Sequence, residues 1–202
     1  MSTPSYDIKY TGFPPIYLNA YVVGQLTRFN ILTGSEQMNP IFPTSPTNIE
    51  DMFKNYIGAP GVDDPLLIQY EKLIRFRTTP FYRNKKEQLV YYLYSTNLSK
   101  VMNAYRVISD ALDREDAAAQ DINYWIIKEY EKIDSDPSYK SLLKDVPNNV
   151  FFHNLKVYQA DETRDVMELV SARTVYVNKL IIEYDYHTKD KYVNGENVNP
   201  YT

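Results

Sequence analysis

The stretch KKEQLVYYLYSTNLSKVMNAYRVISDALDR, residues 85–114, decides the fold. Its first part is apolar and aromatic from Leu89 to Tyr94 and is followed by a polar Ser-Thr-Asn turn, which is typical of a strand. Both faces of that strand carry apolar side chains. This predicts a central strand that is covered on both sides, or on one side by a partner chain.

After the polar turn, the spacing of apolar residues changes from two to about 3.6, which predicts an amphipathic helix. Thr96 or Asn97 can cap this helix by accepting a hydrogen bond from an unpaired backbone amide. The helix is therefore expected to pack back on the sheet that contains its own strand. Its apolar stripe consists of Leu98, Val101, Met102, Tyr105, Ile108 and Leu112.

Composition excludes several classes of function. The chain has 202 residues, a formal net charge of −4 and no cysteine. A mildly acidic chain is poorly suited to sequence-independent nucleic-acid binding, and without cysteine there are no disulfides, thiolate catalysis or zinc-thiolate sites. The N-terminus lacks a signal pattern and no apolar run approaches the roughly 18 residues of a membrane span. These features fit synthesis in a reducing cytoplasm.

The remaining pattern predicts an α+β domain with an antiparallel sheet of about four strands flanked by helices. A strand near residues 66–76 is expected to pair with the strand at 86–95, and further strands are expected at Val150–Gln159 and Arg173–Thr188. Helices are expected from Pro15 and again after Asp113, with short helices at 48–57 and within 159–172. The predicted organisation is an N-terminal arm (1–14), a domain (15–188) with a long Pro-rich loop (35–64), and a polar C-terminal tail (189–202).

Candidates for chemistry are few. Alternation along the last strand places Glu183, Asp185 and His187 on one face, where a metal ion could in principle bind. The polar face of an amphipathic strand explains the same residues better, because His153 lies on another strand and would be a distant fourth ligand. The sequence contains no phosphate-binding glycine loop, nucleophile elbow or HExxH motif. We therefore expect no metal, no cofactor and no catalytic activity.

Tyrosine is the compositional outlier, with 20 residues. Tyrosine is favoured at protein–protein interfaces, although a Tyr-rich sheet in a monomer is the alternative. Aromatic residues continue into the N-terminal arm, where we expect Tyr6, Tyr10 and Phe13 to act as docking anchors. A local basic patch is predicted to face an acidic partner surface, or else to form a solvated hairpin tip. That patch consists of Arg75, Arg77, Arg83, Lys85 and Lys86.

Three parts of the sequence resemble the tail-completion and tail-terminator proteins of tailed bacteriophages, especially the sheath-stabilising, neck-proximal type of contractile-tailed phages. FPPIYLNAYVVGQL (13–26) is similar to their N-terminal helix. Residues 64–72 and 87–123 resemble their strand–strand–helix core, and ARTVYVNKLIIEYDYH (172–187) their closing strand. The segment 115–148 and the loop 35–64 depart from the smallest members of the family.

The resemblance implies a virion structural protein that assembles into a ring, commonly a hexamer, at the head-proximal end of the tail. Such a ring caps the tail tube, stabilises the sheath and joins the tail to the neck, so the implied partners are further copies of the chain and the tube, sheath and neck proteins. From the acidic composition and the lack of a long apolar run, we expect no membrane partner and no direct nucleic-acid recognition. The alternatives are another phage connector, such as a neck or baseplate adaptor, or a soluble cytoplasmic enzyme or ligand-binding domain.

Overall fold

The computed structural model describes residues 14–33, 41–43, 64–73, 85–146, 148–159, 166–168 and 174–188. The predicted arms, most of the Pro-rich loop, the C-terminal tail and the predicted helix at 48–57 lie outside these residues. The helices are α1 (Pro14–Arg28), α2 (Leu98–Leu112) and α3 (Asp116–Ser135). The strands are β1 (Ile41–Pro43), β2 (Leu67–Leu73), β3 (Lys85–Ser95), β4 (Val150–Gln159), β5 (Val166–Glu168) and β6 (Thr174–Thr188).

The strands form one sheet in the order β1-β2-β3-β6-β4, with β5 also pairing with β6. The four long strands are antiparallel to their neighbours, which confirms the predicted α+β class and the predicted pairing of the strands near 66–76 and 86–95. The three-residue strand β1 is parallel to β2. The helix predicted within 159–172 is wrong at 166–168, because that segment pairs with the start of β6, and tertiary pairing overrides a weak local preference.

The three helices pack on one face of the sheet and form the core there. Alternate residues of β3, β4 and β6 point into this core, and those that are large and almost fully buried are Tyr91, Phe152, Tyr184 and Tyr186. Tyr17 of α1 packs in the same core and is also fully buried. On the opposite face, Val90 and Tyr94 of β3 are also buried. Strand β3 lies between β2 and β6 and is covered on both faces, which confirms the prediction of a central strand.

The turn between β3 and α2 is fixed by polar side chains. Asn97 Oδ1 accepts a hydrogen bond from the Lys100 amide at 3.2 Å, which confirms the predicted N-cap. The Asp64 carboxylate accepts hydrogen bonds from Thr96 Oγ1 at 3.0 Å and from Asn97 Nδ2 at 3.2 Å. The start of α2 is therefore tied both to its own cap and to the residues that precede β2.

The edge strand β4 is held by the junction between α2 and α3. Asn123 of α3 accepts a hydrogen bond from the Phe152 amide at 3.0 Å and donates one to the Phe152 carbonyl at 2.7 Å. The Val157 amide donates to the Asp113 carboxylate at 3.1 Å, and the Leu155 amide donates to the Glu115 carbonyl at 3.4 Å. Four backbone groups of β4 are thereby satisfied by partners outside the sheet.

Glu115 has a positive φ of 50° with ψ of −120°, a conformation that disfavours residues with a Cβ atom. Its side chain is exposed and makes no capping hydrogen bond. We expect Glu115→Gly to raise the free energy of unfolding by about 1 kcal/mol, because glycine adopts this backbone without strain. Chemical denaturation measures the change. The matched control is Asp116→Gly inside the first turn of α3, which should lower stability instead; a loss in both variants would contradict the strain.

Candidate interaction surfaces

The structure describes only part of the predicted site. Tyr6, Tyr10, Phe13, Arg75, Arg77 and Arg83 lie outside the described residues. Lys85 and Lys86 are the first two residues of β3 and pair in register with Tyr186 and Asp185 of β6. These two residues of the predicted patch therefore lie at one end of the sheet.

Lys86 is engaged within the subunit. Its Nζ lies 2.5 Å from Glu183 Oε1, and this hydrogen bond raises the pKa of Lys86. Burial opposes ionisation of Glu183, but hydrogen bonds from Lys86 and Gln88 outweigh it and lower the pKa of this carboxylate. Half of the Lys86 side chain is nevertheless exposed, so it can contribute to a surface while it stays paired.

An aromatic surface covers the β4 side of the sheet face that points away from the helices. We call Phe151, Lys156 and Tyr158 the sheet patch. Phe151 is 37% exposed and Tyr158 is 40% exposed, and Lys156 Nζ lies 5.3 Å from the centroid of the Tyr158 ring. These side chains alternate with Phe152 and Val157, which are buried in the core. The sheet patch is therefore the solvent-facing side of an amphipathic edge strand.

A second aromatic surface lies on the helical layer. The helix groove, about 500 Å³ in volume, lies between α1, α2 and α3. Its wall contains Tyr21 and Trp125 in an edge-to-face contact with ring centroids 5.5 Å apart. At its rim, Phe29 is 57% exposed and Tyr124 is 64% exposed. Charged residues of both signs also line the helix groove: Arg28, Asp110, Arg114, Asp121 and Lys128.

Sequence reasoning missed the helix groove, because its aromatic side chains come from two helices, α1 and α3. These helices are distant in the sequence and meet only in the folded chain. Trp125 is half-buried and packs against the core with part of its ring. One signal was available, since Tyr124 and Ile127 interrupt the polar face of α3 at helical spacing and both are exposed. Several exposed apolar side chains near one another, rather than one alone, indicate an interaction surface.

The structure brings the two histidines together. His153 of β4, which sequence reasoning placed at a distance, has its Nε2 2.6 Å from Nδ1 of His187. The two ring planes are inclined by 29° with centroids 4.7 Å apart, and Phe151 contacts both rings. A break in the β4–β6 register between Phe152 and Asn154 places His153 at a β-bulge. Sequence alternation alone could not reveal this contact.

Two buried oxygen atoms lie in the cross-strand pair Asn154–Asp185 beside the histidines. Neither Asn154 Oδ1 nor Asp185 Oδ1 accepts a hydrogen bond from any group that the structure describes. Burial raises the pKa of Asp185, with opposing contributions from Lys86 and His153. Burial also lowers the pKa of His153, although the Asp185 carboxylate opposes this. Among the described residues, no three His, Cys, Asp or Glu side chains are grouped to hold a metal ion.

A buried carboxylate lies on the core side of the sheet. Glu87 of β3 is almost fully buried and accepts hydrogen bonds from Tyr184 and Tyr186, each at 2.9 Å. Lys72 Nζ approaches the same carboxylate at 3.0 Å. Burial, and then the Glu87 charge, raise the pKa of both tyrosines well above the ordinary value. These tyrosines stay protonated as donors, so we interpret the group as a structural cluster that joins β2, β3 and β6.

The chain matches no protein-family model, and a search of curated proteins gave no significant match. Within the described ranges, no helix combines the length and apolar character that crossing a membrane requires.

Proposed function

We propose that this chain is a structural virion protein of a contractile-tailed bacteriophage. In this proposal, copies of the chain assemble into a ring, most simply a hexamer, at the head-proximal end of the tail. The ring terminates the tail tube, stabilises the sheath and joins the tail to the neck. The chain is made in the host cytoplasm, ends in the tail or neck of the virion, and catalyses no reaction. The sequence resemblance supports the tail assignment.

The observation that best supports assembly into a ring is the presence of two different aromatic surfaces on opposite layers of one subunit. The helix groove lies on the helical layer, and the sheet patch lies on the outer face of the sheet. A closed ring larger than a dimer needs heterologous contacts, in which one surface of each subunit meets a different surface of the next. Exposed aromatic side chains that surround a partly closed groove suit the centre of such a contact.

The polar clusters support a structural role over catalysis. The Glu87 carboxylate is enclosed by its own hydrogen-bond donors and lies on the core side of the sheet. The helix groove is walled by Tyr21 and Trp125, and its charged rim includes an Arg114–Asp121 ion pair. Substrate sites instead bring a few polar groups to converge on one enclosed point.

The first experiment is light scattering of the purified chain over a range of concentrations, followed by negative-stain imaging with and without tail tubes. We expect rings of about six subunits, formed by the chain alone or on the end of the tube. A monomer that never associates, even with tube and neck proteins present, would contradict the proposed function.

Paired variants test the heterologous contact directly. Phe29→Ser with Tyr124→Ser removes the exposed rings of the helix groove, and Phe151→Ser with Tyr158→Ser removes those of the sheet patch. We expect each double variant alone to stay monomeric, because every contact then lacks one of its two surfaces. An equimolar mixture should form dimers and stop there, since only one intact groove–patch pair is possible per two subunits.

The control for these variants is Asn103→Ser with Asp134→Ser, two exposed polar positions on α2 and α3 that should leave rings intact. Circular dichroism and urea unfolding establish that each double variant is folded before mixing. If either double variant formed rings alone, the surface altered in that variant would not be part of the contact between subunits.

A further inference from the structure

Both histidines of the chain lie in one contact. The sequence contains two histidines, and the fold brings them from β4 and β6 to a nitrogen–nitrogen distance of 2.6 Å. Histidine is the side chain whose ordinary pKa lies between pH 5 and 8. The side chains that ordinarily change charge in this range are therefore concentrated at a single point, the bulged start of the edge strand β4.

The geometry limits how many protons this point can hold. Nε2 of His153 faces Nδ1 of His187, and at 2.6 Å there is room for one hydrogen atom between them. One imidazole donates and the other accepts, whether the pair is neutral or carries a single positive charge. With both facing nitrogens protonated, two N–H groups and two positive charges meet, and the hydrogen bond between the rings is lost.

We propose that His153, His187 and Asp185 form a proton-operated catch that holds the bulged end of β4 on β6. The catch is closed while one proton lies between the facing nitrogens, and it opens when both are protonated. The Asp185 carboxylate favours the singly charged pair, and its buried Oδ1 with that of Asn154 leaves two acceptors beside the rings. This inference is independent of the proposed virion role.

Other charged groups face the catch from each strand that packs against it. Lys86 of β3 pairs in register with Asp185, and Lys156 of β4 pairs with Glu183 of β6. Lys86 lowers and Glu183 raises the pKa of Asp185. Because Lys86 and Glu183 are bonded to each other, their opposing charges leave the histidines and Asp185 to set the response.

The sign of the pH dependence follows from the two shifts. The pKa of His153 is lowered by burial, so His153 becomes protonated at a lower pH in the folded chain than in the unfolded chain. Its contribution to stability is complete above about pH 6.5 and declines as the pH falls below that value. The pKa of Asp185 is raised by burial, so its contribution increases as the pH falls through that raised value and partly offsets the loss.

The test is a titration of the full-length, isotope-labelled chain from pH 8 to pH 5, followed by NMR of its imidazole signals and by amide hydrogen exchange. We expect two protonation steps separated by more than about one pH unit, as coupled sites require. The exchange ratio is the amide hydrogen-exchange rate at Phe151–Leu155 divided by that at Leu89–Leu93, with both rates corrected for intrinsic exchange. We expect this ratio to rise about tenfold between pH 7 and pH 5. Two independent titrations near the ordinary histidine value with a constant exchange ratio would overturn the proposal.

Two variants separate the catch from general packing. In His187→Gln, the remaining histidine should titrate in one step and the exchange ratio should become insensitive to pH. In Asp185→Asn, loss of the carboxylate disfavours imidazolium, so opening should move to lower pH. An unchanged midpoint in Asp185→Asn would exclude Asp185 from the catch. If a variant does not fold, the titration of the unmodified chain by itself supports or overturns the proposal.

Discussion

Replacing Glu87 by alanine is expected to lower the free energy of unfolding by about 3–5 kcal/mol. The substitution removes the common acceptor of the Tyr184 and Tyr186 hydroxyls, and both are left buried without it. Most of the loss comes from these two charge-assisted hydrogen bonds, since the Lys72 side chain is 24% exposed and can be hydrated. Urea unfolding followed by far-UV circular dichroism measures the change.

Two variants make the comparison specific. Glu87→Gln keeps a side chain of the same shape that can still accept a hydrogen bond, so it should cost about 1–2 kcal/mol. Glu71→Ala, at an exposed position of the neighbouring strand β2, should change stability by less than about 0.5 kcal/mol. If Glu87→Ala were no more destabilising than Glu71→Ala, the cluster would not join the strands as described.

Asn123→Ala is expected to lower the free energy of unfolding by about 2–4 kcal/mol. Asn123 is buried, and its amide makes two hydrogen bonds to the Phe152 backbone, at 3.0 Å and 2.7 Å. Alanine leaves the Phe152 amide and carbonyl without these partners in a region that water does not reach freely. Chemical denaturation gives the loss, and amide exchange at Phe152 should increase by more than exchange at Leu89 of the central strand β3.

A graded pair of controls accompanies this change. Asn123→Asp retains the acceptor for the Phe152 amide but replaces the donor with a second acceptor that faces the Phe152 carbonyl, so it should destabilise as well. Asn103→Ala, on an exposed position of α2, should change stability by less than about 0.5 kcal/mol. Equal values for Asn123→Ala and Asn103→Ala would show that α3 does not hold β4.

Much of the fold could be predicted because the local patterns were strong. The apolar run at Leu89–Tyr94 and the helical stripe that follows it predicted the central strand, the cap at Asn97 and the packing of α2 on the sheet. The short strands β1 and β5 could not be predicted, since three residues carry too little periodicity and form only by pairing with a longer neighbour.

The candidate surfaces were harder to predict than the fold. The bulge beside His153 changes the alternation of β4, and this local irregularity determines which side chains meet His187. The period-two pattern placed the two histidines on separate strands, as observed, but it did not predict the contact between them. Likewise, the Asp113 carboxylate accepts a hydrogen bond from the Val157 amide of β4, a long-range contact that local sequence patterns do not reveal.

The closed edge of β4 has a consequence for the behaviour of the protein at high concentration. An open strand edge recruits further strands from other molecules, and growth of that kind continues into fibrils without a defined end. Asn123, Asp113 and Glu115 occupy four backbone groups of this edge, namely the Phe152 amide and carbonyl and the Leu155 and Val157 amides, so a strand from another molecule cannot pair with these groups. At these positions, crowded copies therefore meet through side chains, whose shape can limit an assembly to a fixed number of subunits.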